Sequence, residues 1–386
     1  MQTNLSDIIV RAANSLLAVQ GQDGAFAAGH NGPYYDQELP VRNTAHVMVL
    51  LFKAHELTGE AGYREAALKA LAYITADERR PMGATFWARR NPQKDFSNGL
   101  IGQAWVIEAL TVAAQKLEDS SLNALAEKVF LMHPFDEVAA TWRIVNVDGS
   151  YAGVDTTFNH QLWFAAAGGL IADSDSVRKQ VSRFLDNLEG NSLKLYENGL
   201  IVHALAGGGP VKKPVKRIVK DFVKGCLKKP RGERSRDPVI NKAIGYHAFN
   251  TYAFALLFEG YKEHSFWRSE MFRKLLAFLA TDLYRDGLEW FCPDPSGKGK
   301  SLPFNRFGYP YNPPGIEAAF TLQTFRDYCS PAPDRDMIAS WLERQFRHTL
   351  QPASGLMTEN TDDSATLSAR LYEAVRLDDV ELVVSG

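Results

Sequence analysis

Cysteine is scarce in this 386-residue chain: Cys226, Cys292 and Cys329 are far apart and odd in number. No CxxC pair occurs, which argues against a cysteine-rich zinc site and against a disulfide framework. There is no HExxH motif and the nine histidines are dispersed, so no metal is expected. A GxxxxGKS/T loop is missing, and GGGP at 207–210 lacks the Lys-Ser that phosphate binding needs. No GxGxxG follows a strand either, and no cofactor is expected. Apolar runs never approach the length of about 18 residues that a transmembrane helix requires. Charge of one sign is not in excess: 43 Lys and Arg stand against 45 Asp and Glu, a net charge of −2. That balance argues against a nucleic-acid binder. The opening MQTNLSDIIVRAANSLLAV has no basic n-region and no small-residue cleavage site, so it does not read as a signal peptide. These absences leave an ordinary globular chain, expected in the cytoplasm.

Helical periodicity fills most of what remains. Leu5, Ile8, Ile9, Ala12, Leu16 and Val19 recur at spacings of three and four, as one face of a helix requires. Similar patterns predict helices near 43–58, 62–77, 99–117, 120–132, 157–171, 175–189, 241–262, 265–282, 315–329, 335–349 and 363–376, with a weaker one at 197–205. Strand signals are confined to 141–146 and 379–384. Short connections near 58–61, 117–120, 171–175, 262–265 and 329–335 alternate with long ones at 20–42, 78–98, 133–156, 206–240, 283–314 and 350–362. Helices joined by short turns form antiparallel hairpins, and stacking about six of them puts every long segment on one face. Long loops on a rigid scaffold carry function. The expectation is an all-α (α/α)6 toroid, one catalytic domain over 1–386, with its site in the mouth. QDGAF at 22–26, VDGSY at 147–151, RDGLEWF at 285–291 and SGLMTE at 354–359 read as turns that open or close long loops. One compositional break interrupts the domain. Segment 211–236 carries eleven Lys and Arg against Asp221 and Glu233. It reads as a solvated basic face or a surface for an anionic membrane or acidic glycan, placing the chain peripherally at the inner membrane.

Three polar clusters stand at predicted helix starts. GHNGPYYDQELPVRNTAH, 29–46, packs His30, Asn31, Tyr34, Asp36, Arg42 and His46 into eighteen positions. Rings beside hydrogen-bonding groups suit a polyhydroxylated ligand, although the loop also satisfies its own polar groups through caps such as Asn43. In KDFSNGLIGQAW, Ser97 or Asn98 caps the helix, Asp95 is left to face the mouth, and Gln103 follows one turn later. In VDTTFNHQLWFAA, Asp155 precedes the helix, with Asn159, His160 and Gln161 in its first turns. Asp95 and Asp155 then take equivalent places in successive hairpins, and two converging carboxylates make an acid/base pair. Each also has a purely structural reading, as a cap or a charge favouring the helix dipole. Later segments add His247, Trp290 and Asn312 as substrate-binding candidates, with Tyr309, Tyr311 and Glu317 beside them.

VDTTFNHQLWFAA resembles the aspartate-bearing helix start of the unsaturated uronyl hydrolases, and KDFSNGLIGQAW is a weaker match to their second one. That resemblance implies an (α/α)6 toroid in which Asp155 donates a proton and activates water while Asp95 assists. GHNGPY-Asp, PVRNTAH, NGLIGQAW and NHQLWFAA are similar to a family encoded in bacterial and archaeal surface-glycan gene clusters, some of whose members carry an aminolevulinate dehydratase label. It implies glycan assembly or processing; a dehydratase would need an activated lysine in a β/α barrel. The first functional expectation is a glycoside hydrolase acting on an acidic sugar or oligosaccharide. The alternatives are a uronate epimerase or lyase using His160, Tyr34 or Arg42, and a non-catalytic glycan-binding protein at the membrane surface.

Overall fold

The computed structural model describes residues 2–205, 237–292, 297–300 and 302–384; the basic stretch 211–236 and Cys226 lie outside them. Thirteen α-helices are present among the described residues. They are α1 (Leu5–Leu17), α2 (Val41–Thr58), α3 (Ala61–Thr75), α4 (Gly99–Leu117), α5 (Ser120–Met132), α6 (Phe158–Gly169) and α7 (Asp175–Asp186), followed by α8 (Pro238–Gly260), α9 (Glu270–Leu279), α10 (Asp282–Leu288), α11 (Pro314–Thr324), α12 (Arg335–Thr349) and α13 (Ser364–Ala369). A 3-10 turn, Arg370–Arg376, continues α13. Local chemistry sets many of the starts. Asp119, Ser174, Asp237, Ser269, Thr281, Asp334 and Asp363 each accept a backbone N–H from the turn they precede.

Two kinds of helix alternate along the chain. α8 is buried at every position from Ala243 to Leu257, so it has no solvent face. α7 buries only Val177, Val181, Phe184 and Leu185, one stripe of a surface helix. The buried kind closes a ring: α2 packs on α4, α4 on α6, α6 on α8, α8 on α11, α11 on the Arg370–Arg376 turn, and that turn on α2. Outside it lie α1 and α3 against α2, α5 against α4, α7 against α6, α9 and α10 against α8, and α12 against α11. This is the (α/α)6 toroid. Each inner helix but the last leads through a short turn to an outer one, and each outer helix returns through a long connection. All long connections therefore reach the N-terminal ends of inner helices.

Strands are short. β1 (Gln2–Asn4) pairs antiparallel with β7 (Glu381–Val383), so the first and last hairpins are tied together. β2 (Phe135–Asp136), β3 (Thr141–Val145) and β4 (Tyr151–Val154) form a sheet before α6, and β5 (Leu350–Gln351) pairs with β6 (Leu356–Met357) before α13. The strand expectations at 141–146 and 379–384 thus correspond to β3 and β7.

Some expected elements differ. Segment 197–205 is no helix: Gly199 sits at φ +92°, the backbone of Lys274 occupies the place of a side chain there, and Leu195 bridges Ile201. The helix expected over 265–282 is a 3-10 turn, Ser265–Arg268, and then α9, because the Ser269 hydroxyl caps Phe272 and starts a new helix. The loop expected from 283 begins as α10. Its Asp-Gly is helical, and Gly287 packs against Ile244, whereas Gly24, Gly149 and Gly355 do take positive φ.

Candidate functional site

A cavity of about 200 Å³ opens where α4, α6 and α8 begin, bordered also by Asn31, Tyr34 and Asp36 of the first long loop and by Tyr311. Asn31, Tyr34, Asp36, Asn98, Asn159 and His160 line it. Arg89, Lys94, Ile101, Trp105, Thr157, His203, Lys242, Tyr246, Phe249 and Tyr311 complete its wall.

Asp155 stands behind the wall. Its Oδ2 accepts from His160 Nδ1 at 2.8 Å and from the Leu100 N–H at 3.2 Å, and its Oδ1 accepts the Thr157 N–H at 3.1 Å. Burial pushes this carboxyl up, but the charge and hydrogen bond of His160, with the two backbone donors, outweigh it, and Asp155 titrates below the usual carboxylate range. His160 therefore has its Nδ1 held by an ionised carboxylate. Nε2 has no hydrogen-bond partner among the described residues, in a side chain 26% exposed. An imidazole so oriented is a base. His203 lies across the cavity. Burial, with Lys242 and His160 nearby, holds it well below the usual imidazole range, and its Nδ1 is buried without a partner among the described residues. Lys242 makes no ion pair among the described residues. Its Nζ stands 5.1 Å from the Tyr34 ring and 5.7 Å from that of Tyr246, and burial lowers its pKa to about 8.

Asp95 is not free to face the mouth. Oδ1 accepts the Gly99 N–H at 2.6 Å and the Ser97 hydroxyl at 2.9 Å, and Oδ2 pairs with Arg89 at 2.6 Å. Asp95, not Ser97 or Asn98, supplies the side-chain oxygen at the start of α4. Gln103 bonds both Phe86 N–H and C=O and also the Ser97 carbonyl; Gln161 bonds both Trp142 N–H and C=O and also the Asp155 carbonyl. By these matching glutamines, the counterpart of Asp155 in the preceding hairpin is Ser97 rather than Asp95. Both carboxylates nonetheless meet the first turn of α4, one at Gly99 and the other at Leu100.

The remaining candidates support the wall or lie away from it. Arg42 pairs with Glu38 at 3.2 Å, reaches Asn31, and stacks 3.8 Å above the Trp105 ring; His46 stacks on Tyr372 at 4.0 Å. His30 ties its loop to Gly32 and Asp362 carbonyls. Gln103 and Gln161 hold loops. His247 is fully buried between Ile201 N–H and Leu275 C=O, with burial lowering its pKa to about 3. Asn312 joins Gly245 and Phe307 carbonyls to Arg370, and Trp290 is buried off the wall.

Lys242 and Tyr246 were missed by the sequence reading. Their signal was available: with Phe249 they fall at i, i+4 and i+7, one face of α8, on which His247 does not lie. His203 was hidden in a segment read as helix. No group of His, Cys, Asp or Glu among the described residues is arranged to hold a metal ion.

No protein-family model matches the chain. Among solved structures it is similar to a cellobiose 2-epimerase from Spirochaeta thermophila DSM 6192, with a TM-score of 0.61 over 96% of each chain at 13% identity. It is also similar to an unsaturated glucuronyl hydrolase specific for heparin, with a TM-score of 0.57 over 96% of each chain at 11% identity. At such identity these likenesses establish the fold. The sequence is 41% identical to archaeal glycosylation protein Q of Haloferax volcanii, over 98% of this chain and 99% of that one. The chain belongs to the family of archaeal glycosylation protein Q.

Proposed function

We propose that this protein is an enzyme of glycan metabolism that moves a proton at a carbon of an acidic sugar, as a uronate epimerase or isomerase. His160 carries the reading: a cavity-wall imidazole with Nδ1 held by Asp155 and Nε2 left open. A second histidine, His203, kept neutral by burial, faces the same space. Lys242 is the wall cation without a carboxylate partner among the described residues, and it suits the carboxylate of a uronate. A cavity of about 200 Å³ suits a single sugar unit. The relative's name, a glycosylation protein, supports a glycan substrate.

Hydrolysis with Asp155 and Asp95 as the acid/base pair is less favoured by the geometry. A proton donor needs a raised pKa, whereas Asp155 is lowered and its oxygens are occupied by donors. In this reading both aspartates are positioning residues. Incubating free hexuronates with the protein in D2O tests it. Wild type incorporates deuterium at a carbon beside the carbonyl or carboxylate, and His160→Ala slows this by about 10²–10⁴-fold. Loss of near-ultraviolet absorbance from unsaturated uronyl disaccharides, with no deuterium exchange into free saturated hexuronates, would return the proton-donor role to Asp155.

A further inference from the structure

Two asparagines on the cavity wall are built alike. Asn31 and Gly32 have φ of +58° and +53°, and Asn98 and Gly99 have +56° and +58°. Two successive left-handed residues make a type I′ turn, which Asn-Gly adopts with least strain. Neither glycine has room for a side chain. At Gly32 a Cβ would overlap the Tyr311 ring; at Gly99 it would stand 2.5 Å from Asp155 Oδ2 and 3.4 Å from His160 Nδ1. Each turn therefore sets its asparagine against the cavity, and Asn98 precedes the glycine whose missing side chain leaves room for Asp155, the carboxylate that holds the His160 ring.

The two amides are also oriented in the same way. Asn31 Oδ1 accepts from Arg42 Nη1 at 3.2 Å and from the Tyr311 hydroxyl at 2.7 Å. Asn98 Oδ1 accepts from Arg89 Nη1 at 2.8 Å. A guanidinium only donates, so the amide oxygen is fixed towards the arginine and the NH2 towards the other side. Both arginines are themselves held, Arg42 by Glu38 and the Trp105 ring, Arg89 by Asp95. Neither Nδ2 has a partner among the described residues, although Asn98 is only 5% exposed. Two left-handed Asn-Gly turns and two buried arginines thus end in two open N–H donors aimed into one cavity.

We propose that Asn31 and Asn98 are a pair of fixed amide donors for two oxygens of the bound sugar, and that Asn98 holds the oxygen on which negative charge develops beside His160. This rests on the proton-transfer reading of the site. His160 Nε2 takes the proton from the carbon next to the carbonyl. The C–H electron pair becomes the C=C bond of an enediolate, and the carbonyl pair moves onto oxygen, where the Asn98 N–H meets it. Return of the proton by His160 to the neighbouring carbon, as the remaining hydroxyl proton passes to the charged oxygen, moves the carbonyl by one carbon. Delivery of a proton to the opposite face of the first carbon by a donor across the cavity, with His160 keeping the one it took, restores the carbonyl with inverted configuration.

The test uses Asn98→Gly, Asn31→Gly and Asn98→Asp in the full chain. Glycine accepts the left-handed backbone, and aspartate keeps the shape and the Arg89 contact while replacing the donor by an acceptor; thermal melts check that all three fold. For deuterium exchange into hexuronates, Asn98→Gly and Asn98→Asp are expected to lower kcat about 10²-fold with KM within about 3-fold. Asn31→Gly is expected chiefly to raise KM, by about 10-fold. A folded Asn98→Gly with kcat within about twofold of wild type overturns the assignment. Calorimetric titration with D-glucuronate and D-galacturonate reads the donors without turnover. Weaker binding by Asn31→Gly supports them even if wild type exchanges no proton, in which case only the proton-transfer reading falls. Equal binding by wild type and both glycine variants, or none by wild type, overturns the donor pair.

Discussion

Lys242 lies on the wall with two tyrosine rings near its ammonium and no carboxylate beside it among the described residues. A buried cation without a counter-ion loses part of its hold on the proton, hence the pKa of about 8. Below that pH the group is charged and attracts a carboxylate; above it the attraction is lost. Affinity for D-glucuronate is therefore expected to fall as pH rises through about 8, and Lys242→Met to bind weakly at all pH values, with no such step. Titration calorimetry between neutral and alkaline pH reads both. The sign for stability is the opposite. Between about 8 and the ordinary 10.5 the unfolded chain binds more protons at this site, so its contribution to stability rises with pH there.

At the scale of elements, the start of α4 concentrates the design. Asp95 and Asp155 take successive N–H groups, and Gly99 leaves the space that Asp155 fills. Gly99→Ala imposes a left-handed backbone on alanine and drives Cβ into the carboxylate, so it is expected to cost about 2 kcal/mol of stability. Chemical denaturation measures the loss, and the deuterium-exchange rate should fall with it because Asp155 no longer orients His160. The hairpins were legible in the sequence because apolar spacing marks helices and the alternation of short and long connections marks which ends gather. α4, α5 and α12 run as the periodicity indicates. What escaped depended on tertiary contacts: Gly199 turning against Lys274, α10 folding over an Asp-Gly, His203 brought to the cavity by an extended segment. Asp95 could be named as important, but its three local partners are set by loop geometry that spacing does not encode.

Across the whole ring, a line of buried charges joins the inner helices. Arg370 bonds Glu317 and Glu373 at 2.6 Å each and also Asn312, while Arg376 reaches Glu108 at 2.8 Å. Burial pushes Glu373 up to about 7 and Glu317 also upward, against the pull of Arg370. Because the folded state holds these protons more tightly than the unfolded chain, this pair contributes most below about 4.5 and loses that contribution as pH rises towards about 7. Arg370→Met leaves both carboxylates without their cation and is expected to cost about 3–5 kcal/mol at neutral pH. The loss should be smaller near pH 5, where the glutamates are protonated, as urea unfolding at the two values will show. Such a column would be read from sequence only with the ring order already known, since Glu108, Glu317 and Arg370 come from hairpins far apart in the chain.

The antiparallel pairing of Gln2–Asn4 with Glu381–Val383 gives the ring a seam. α2 is buried along nearly its whole length, yet one of its neighbours, the Arg370–Arg376 turn, lies far downstream in the chain. During translation the second helix must therefore wait, one apolar flank uncovered, for a partner more than 300 residues downstream. Closure of the seam is a long-range step that local hairpin formation cannot accelerate. Until that downstream turn arrives, the nascent chain is an open arc with a sticky leading edge.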